Sequence, residues 1–307
     1  MSIELLERYQ GCLIGLAVGD AIGTTVEFRP RGSFEALTDM VGGGPFNLKP
    51  GQWTDDTSMA LCLAESLIEK KGFEPRDQMD RYLKWYREGY LSSTGTCFDI
   101  GGTTATALRM YEKTGNPFSG STDPHSSGNG SIMRLAPVPL FFFPNKEAMI
   151  IYSAESSRTT HGSKECIDAC RLFASVLFNA LSGMDKERVL FDHEEQLVKE
   201  PNIRGIARGL YRDKAEDHIK GSGYVVKSLE AALWCFLTTD SYVDAVLKAV
   251  NLGDDADTTS AICGQVAGAY YGLSDIPGKW LRCLSKRDGI QSVAVRLLEK
   301  QSVEESV

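Results

Sequence analysis

Thr54-Asp55-Asp56-Thr57 and Asp254-Asp255-Ala256-Asp257-Thr258-Thr259 are the two segments of this sequence best equipped for chemistry. Each gathers several hard oxygen donors into one turn of chain, just ahead of an apolar stretch of helical period. Such donors suit Mg²⁺ or Mn²⁺. Neither cluster contains histidine or cysteine, which disfavours zinc. Taken singly, each reads as an ordinary helix start, because Asp and Thr cap helices and acids favour the positive end of the helix dipole. Capping uses one or two oxygens, whereas each cluster offers at least three. If the fold sets the clusters side by side, their repulsion calls for cations between them. The expected chemistry is then metal-assisted hydrolysis.

Thr54, Asp55 and Asp56 form the first candidate ligand set, and Asp255, Asp257 and Thr258 the second. Residues two apart do not share a helix face, so Asp255 and Asp257 converge only if the backbone is still turning at Gly253-Asp254. Small residues beyond them (Ser260, Ala261, Gly264, Ala267, Gly268) let that helix sit deep in the protein. Glu27 follows Gly19-Asp20-Ala21-Ile22-Gly23, where a helix is expected to stop, and by itself reads as a surface carboxylate. Asp99, beside Gly101-Gly102, could serve as a general base, accept from sugar hydroxyls, or merely adjoin a cap. Ser127-Gly128-Asn129-Gly130-Ser131 is a turn whose consecutive N–H groups could face an anion, with Arg134 adding charge. It matches neither a P-loop nor a dinucleotide fingerprint. His161 could donate to a phosphate or have no role, and Tyr224 could stack on a ring or pack in the core.

The elements that must position these residues read as helices nearly throughout. The periodicity predicts helices over 5–18, 59–70, 76–90, 103–113, 148–159, 163–181, 225–237, 242–251 and 258–271. Gly11, Gly15 and Gly19, four apart, predict close approach of another helix. No β-α-β rhythm is visible, so the expected fold is all-α, as one compact domain over residues 1–307. Long loops are expected at 29–52, 92–102, 115–131 and 212–223, and the two acidic clusters and the glycine-rich segments lie at loop–helix junctions.

A net charge of -8 argues against nonspecific nucleic-acid or acidic-membrane binding, though not against a nucleic-acid-derived substrate in a local pocket. The start Met1-Ser2-Ile3-Glu4 lacks a leader pattern. No apolar run reaches the ~20 residues of a membrane span; 135–144 is short and holds Pro137, Pro139 and Pro144. The eight cysteines include no CxxC pair and fall mostly in apolar helical patterns. A reduced, cytoplasmic protein with no membrane association is expected.

Taken together and in order, these segments resemble the ADP-ribosylglycohydrolases, the family of the dinitrogenase reductase-activating glycohydrolase and the animal ADP-ribosyl-acceptor hydrolases. The resemblance runs from about Arg8 to about Trp280. It is carried by Gly15 to Gly23 with Glu27, Gly51 to Thr57, Gly128 to Arg134, Thr160-His161-Gly162, and Gly253 to Thr258. It implies an all-α fold with two Mg²⁺ or Mn²⁺ ions in a cleft, held by Thr54, Asp55, Asp56, Asp255, Asp257 and Thr258. It also implies roles near the metals for Glu27, as gate or catalyst, and for Asp99, as a catalytic assistant. Gly130, Ser131, Met133, His161 and Tyr224 fall in segments that hold ADP-ribose. The implied reaction releases ADP-ribose from a modified acceptor, foremost a protein arginine. The alternatives are ADP-ribosyl-serine, O-acetyl-ADP-ribose or ADP-ribosylated nucleic acid as substrate, or ADP-ribose binding without catalysis. One departure is Asp254, where the family often has a second glycine; it could cap the helix or alter metal affinity.

Overall fold

The computed structural model describes residues 3–194 and 196–299. Met1 and Ser2, where the leader argument begins, and the last residues of the expected domain lie outside the described residues. Among the described residues there are helices, turns and isolated bridges but no strand. The helices are α1 (Ile3–Gly23), α2 (Asp55–Lys70), α3 (Pro75–Glu88), α4 (Gly102–Thr114), α5 (Pro137–Phe142), α6 (Lys146–Arg158) and α7 (Lys164–Leu181). There follow α8 (Lys186–Phe191), α9 (Pro201–Ala207), α10 (Val225–Leu237), α11 (Tyr242–Val250), α12 (Ala256–Tyr271), α13 (Gly278–Cys283) and α14 (Arg287–Glu299).

The glycine spacing near the start of the chain finds its partner in α12. A Cβ on Gly15 would lie 2.3 Å from the Gly264 carbonyl oxygen, and one on Gly264 would lie 2.1 Å from that of Gly15. Gly11 against Gly268 and Gly19 against Ser260 repeat the contact, with the added Cβ at 2.2 Å in each case. The stripe continues to Gly23, where a Cβ would come within 2.4 Å of the Asp257 Cα. Backbone therefore meets backbone along the whole crossing, and the start of α12 is fixed against the end of α1. Ser260 Oγ donates to the Gly19 carbonyl at 2.7 Å, and Tyr242 Oη to that of Gly15 at 2.8 Å, which binds α11 into the same contact. Gly264→Val is expected to cost about 3 kcal/mol in urea unfolding, because neither backbone can yield to a branched side chain. Gly289→Ala, on an exposed turn of α14 with open space around it, is the control and should be neutral or stabilising.

Several boundaries differ from the sequence expectation in ways that matter for the site. α1 does not end near Val18 but runs through Asp20 to Gly23, and a short 3₁₀ turn (Thr24–Val26) follows. That extra length carries Glu27 inward to 3% exposure, so the surface-carboxylate reading is corrected. α2 starts at Asp55 and α12 at Ala256, which puts Asp55, Asp56 and Asp257 inside first helical turns. The apolar stretch with three prolines forms α5, with Pro137 at its first turn, where a missing N–H costs nothing. The short helices α8, α9 and α13, and α14, were not expected.

Arg31 ties two long loops together: its guanidinium donates to the carbonyls of Leu252 (3.3 Å), Glu216 (2.6 Å) and Ile219. Cys12, Cys62, Cys166, Cys170, Cys235 and Cys263 are free and buried. No helix among the described residues is long and apolar enough to cross a membrane.

Candidate active site

Asp20, which the sequence reading passed over, organises the first acidic cluster. Its Oδ1 accepts from the Thr54 N–H and hydroxyl, both at 2.9 Å, and its Oδ2 from the Thr57 N–H (3.1 Å) and hydroxyl (2.6 Å). This one buried carboxylate caps α2 from a neighbouring helix. Thr54, the formal N-cap of α2, makes no side-chain cap bond, and neither does Asp255 at the start of α12. The capping reading of the clusters therefore fails at both N-cap positions, and most of their carboxylate oxygens are left for something else. Within the second cluster the Thr258 N–H donates to Asp257 Oδ1 at 2.7 Å.

Thr54 Oγ1 lies 2.9 Å from Asp20 Oδ1, 3.1 Å from Asp56 Oδ2 and 3.4 Å from Asp257 Oδ2. A hydroxyl has one proton, so it satisfies one of these three acceptors. Asp56 Oδ1 is buried with no partner at all. An orphaned, fully buried carboxylate oxygen is costly unless something positive approaches it. Two groups of carboxylates lie with their oxygens within 4.8 Å of one another: Asp20, Asp56 and Asp257, and Glu27, Asp99 and Asp257. Asp257 belongs to both. The all-oxygen donor set and the unpartnered oxygen fit hard divalent cations. In the first group Asp20 is already saturated by four donors, which makes it a support for Thr54 and Thr57. Asp255 is held by Asn129 Nδ2 at 2.7 Å, another contact that the sequence reading did not anticipate.

The electrostatics match this crowding. Burial first, then the neighbouring acids, drive Asp55, Asp56 and Asp257 well above the usual carboxylate range. Burial and the charges of Asp20 and Asp255 raise Asp99 to about 7. Burial and Asp99 raise Glu27 to about 10.

Glu27, Asp55, Asp99, Asp255, Asp257 and Thr258 line a cleft of about 670 Å³. Thr54 and Asp56 lie fully buried beside Asp257. A second wall segment of the same cleft holds Gly128, Gly130, Met133 and His161. A Cβ on Gly130 would lie 2.7 Å from His161 Cε1 and 3.0 Å from Nε2, so the glycine makes room for the imidazole. Ser131 is buried behind this wall, its hydroxyl 3.5 Å from Cys170 Sγ. Tyr224 lines an adjoining cavity of about 860 Å³ with Pro124, His125 and Glu165, and its hydroxyl donates to Glu165 Oε1 at 2.7 Å. The two cavities share Thr103, Gly128 and Gly223.

Arg134 does not add charge to the cleft. It is fully buried and lines neither cavity. Its guanidinium donates to the Gly130 carbonyl at 2.9 Å and to Thr160 Oγ1 at 2.7 Å, and lies over the Tyr82 ring at 4.7 Å. With Arg134 donating to Thr160, the hydroxyl proton turns to His161 Nδ1, 2.9 Å away, which leaves the imidazole proton on Nε2. Burial and the Arg134 charge lower His161 to about 3, so the ring is a neutral donor. Arg134→Ala is expected to cost about 3 kcal/mol in urea unfolding, because it strands the Gly130 carbonyl and opens a cavity beneath the wall. A comparable loss for Arg134→Lys would show that charge alone does not replace the planar fork.

Asp254 is exposed, in the left-handed region at φ 57, and is not the cap of α12; that position is Asp255. Its N–H donates to the Arg29 carbonyl at 2.8 Å and its carbonyl accepts from the Phe28 N–H at 2.7 Å. Left-handed backbone explains why glycine suits the position, and Asp is among the few residues that tolerate it.

Helical fold and oxygen-lined acidic cleft agree with the family match: residues 1–306 fit the ADP-ribosylglycohydrolase family, and this chain belongs to it. An ADP-ribosylarginine hydrolase, Tri1, of Pseudomonas putida (strain GB-1) is 44% identical over 97% of this chain and 79% of its own length. The ADP-ribosyl-[dinitrogen reductase] glycohydrolase of Rhodospirillum rubrum is 31% identical over 92% of this chain and 91% of its own. A solved structure described as an ADP-ribosylglycohydrolase-related protein complex superposes with a TM-score of 0.87 at 43% identity, covering 97% of this chain and 99% of that one.

Proposed function

We propose that this chain, acting as a single catalytic domain over residues 1–307, hydrolyses the N-glycosidic bond between ADP-ribose and the guanidine of a protein arginine. The observation that carries the proposal is the buried, unpartnered Asp56 oxygen grouped with Asp257, which with further acids lines one cleft. The names of the similar hydrolases support arginine as the acceptor.

Thr54, Asp55, Asp56, Asp255, Asp257 and Thr258 would hold two Mg²⁺ or Mn²⁺ ions. When bound, these ions supply Lewis-acid chemistry, lowering the pKa of water and polarising ribose hydroxyls. Asp20 and Asn129 orient the ligand carboxylates and hydroxyls. Asp99, nearer neutrality, takes a proton from the attacking water as its oxygen bonds to C1 of the ribose. Glu27, which keeps its proton to higher pH, delivers it to the departing guanidine nitrogen as the C1–N bond breaks. Their oxygens approach within 4.8 Å, so the proton taken up by Asp99 can return to Glu27. Carboxylates around C1 favour the positive charge that develops on the ribose.

The neutral His161 Nε2–H and the N–H groups of the Gly128–Ser131 turn would hold the diphosphate. The adjoining cavity, with Tyr224 at its wall, would take the adenosine. The products are ADP-ribose and unmodified arginine. A linkage panel tests the assignment: ADP-ribosyl-arginine, ADP-ribosyl-serine, O-acetyl-ADP-ribose and ADP-ribosylated nucleic acid, each with Mg²⁺. Preferential cleavage of the arginine linkage is expected. Preference for another linkage would replace the acceptor.

A further inference from the structure

Phe28 lines the acidic cleft and is joined through ring contacts to Phe46 and Phe98, and none of the three has a part in the reaction described above. Phe28 follows Glu27 and is 65% exposed, the second-highest exposure among the exposed large hydrophobic residues. Its backbone sits in the left-handed region at φ 62, which a bulky side chain ordinarily avoids. The Phe28 N–H donates to the Asp254 carbonyl at 2.7 Å, and the Asp254 N–H donates to the carbonyl of the next residue, Arg29, at 2.8 Å, which pins this turn of chain. Phe28 meets Phe46 edge-on, with ring centroids 6.4 Å apart, and Phe46 tilts onto Phe98 at 5.2 Å. Phe98 in turn precedes Asp99, itself at φ 58. Glu27 and Asp99 thus each have an aromatic neighbour in sequence, and Phe46 links those two rings. Strain held in place beside a catalytic centre points to a function.

The chemistry of the rim selects its occupant. Ring faces attract cations and apolar stems, and the exposed acidic side chain of Asp254 stands beside them. Arg29, which follows Phe28, is engaged elsewhere: it lies over Phe34 at 5.5 Å and donates to the Ser33 carbonyl. A planar cation on an aliphatic stem meets both demands.

We propose that Phe28, Phe46 and Phe98 form the acceptor subsite: they receive the methylene stem and guanidinium face of the modified arginine. The inference rests on the arginine-linkage reading and names the residues that would enforce it. Phe28 is the specificity-determining residue, since its ring is the most exposed and reaches into the cleft lining.

The test compares wild type, Phe28→Leu and Phe28→Tyr on an N-ADP-ribosyl-arginine peptide, with free ADP-ribose as competitive inhibitor. Leu keeps apolar bulk and the same backbone demand but has no π face. Phe28→Leu is expected to raise KM about five- to tenfold, Phe28→Tyr less than about twofold. The Ki of ADP-ribose, which carries no acceptor, should stay within about twofold in both. An unchanged KM in Phe28→Leu, or a parallel rise in the ADP-ribose Ki, would overturn the subsite while leaving the arginine reading intact. A wild type that does not cleave the peptide would overturn the arginine reading and this subsite with it.

Discussion

Asp257→Ala is expected to lower turnover of ADP-ribosylated arginine by about 10³-fold or more at saturating Mg²⁺, with helical circular dichroism retained. Asp257 is the carboxylate common to both acidic groups, with its oxygens within 4.8 Å of Asp20 and Asp56 on one side and of Glu27 and Asp99 on the other. Removing it takes a donor from both halves of the site at once. Asp55→Ala should approach the same loss, since Asp55 faces the cleft directly. The fold survives because α12 is anchored by its glycine contacts with α1 rather than by the carboxylate. Asp20→Ala is the informative contrast. Its four hydrogen bonds hold the start of α2, so that variant should lose stability along with activity. Full activity in Asp257→Ala would remove the cluster from the mechanism.

Mg²⁺ is expected to raise the melting temperature by about 5 °C at a hundredfold excess over its dissociation constant, a stabilisation of about 2.7 kcal/mol. The effect should grow with pH, and the sign follows from the raised acids. Asp20, Asp99 and Glu27 titrate in the folded protein at about 6, 7 and 10, above their ordinary values. A group whose folded pKa is raised contributes stability that is fully present below its unfolded pKa and is lost as pH climbs through the folded value. Metal-free protein therefore loses stability progressively from about pH 4 to about pH 10, and a cation that neutralises the cluster restores it. The Mg²⁺ shift should be larger at pH 8 than at pH 5. Asp257→Asn, which removes one buried charge without changing shape, should melt about 3 °C higher than wild type without metal and show little Mg²⁺ shift. Differential scanning fluorimetry with chelator and with Mg²⁺ measures both. A Mg²⁺ shift in Asp257→Asn equal to that of wild type would contradict the assignment.

Much of this architecture was legible in the sequence because its signals are local. Apolar periodicity marked nine of the helices to within a few residues, and the four-residue glycine spacing announced a close helix crossing. What it could not announce was the partner, since Gly264, Gly268 and Ser260 meet Gly15, Gly11 and Gly19 only in three dimensions. The acidic clusters stood out by composition. Asp20 did not, because a lone acid inside a small-residue helix looks incidental until its four donors are seen. Glu27 was misplaced for a related reason: one more turn of α1 and a 3₁₀ turn swing it from surface to interior, and small residues at 19–23 resembled a stop signal. Asn129, hidden in a glycine-rich turn, holds Asp255. Arg134 was misread because charge alone suggested an anion partner, whereas its burial serves the wall behind His161. Asp254 is legible only through its φ, which sequence does not print. The short helices α8, α9 and α13 hold too few turns to show a period.

The most direct measurement is ADP-ribose release from an N-ADP-ribosyl-arginine substrate, followed chromatographically with Mg²⁺, with Mn²⁺ and with chelator. Release with either cation, its loss under chelator and its recovery on adding the cation back are the expected results. Undiminished release under chelator, or none under any condition, would contradict a hydrolase built on these carboxylates.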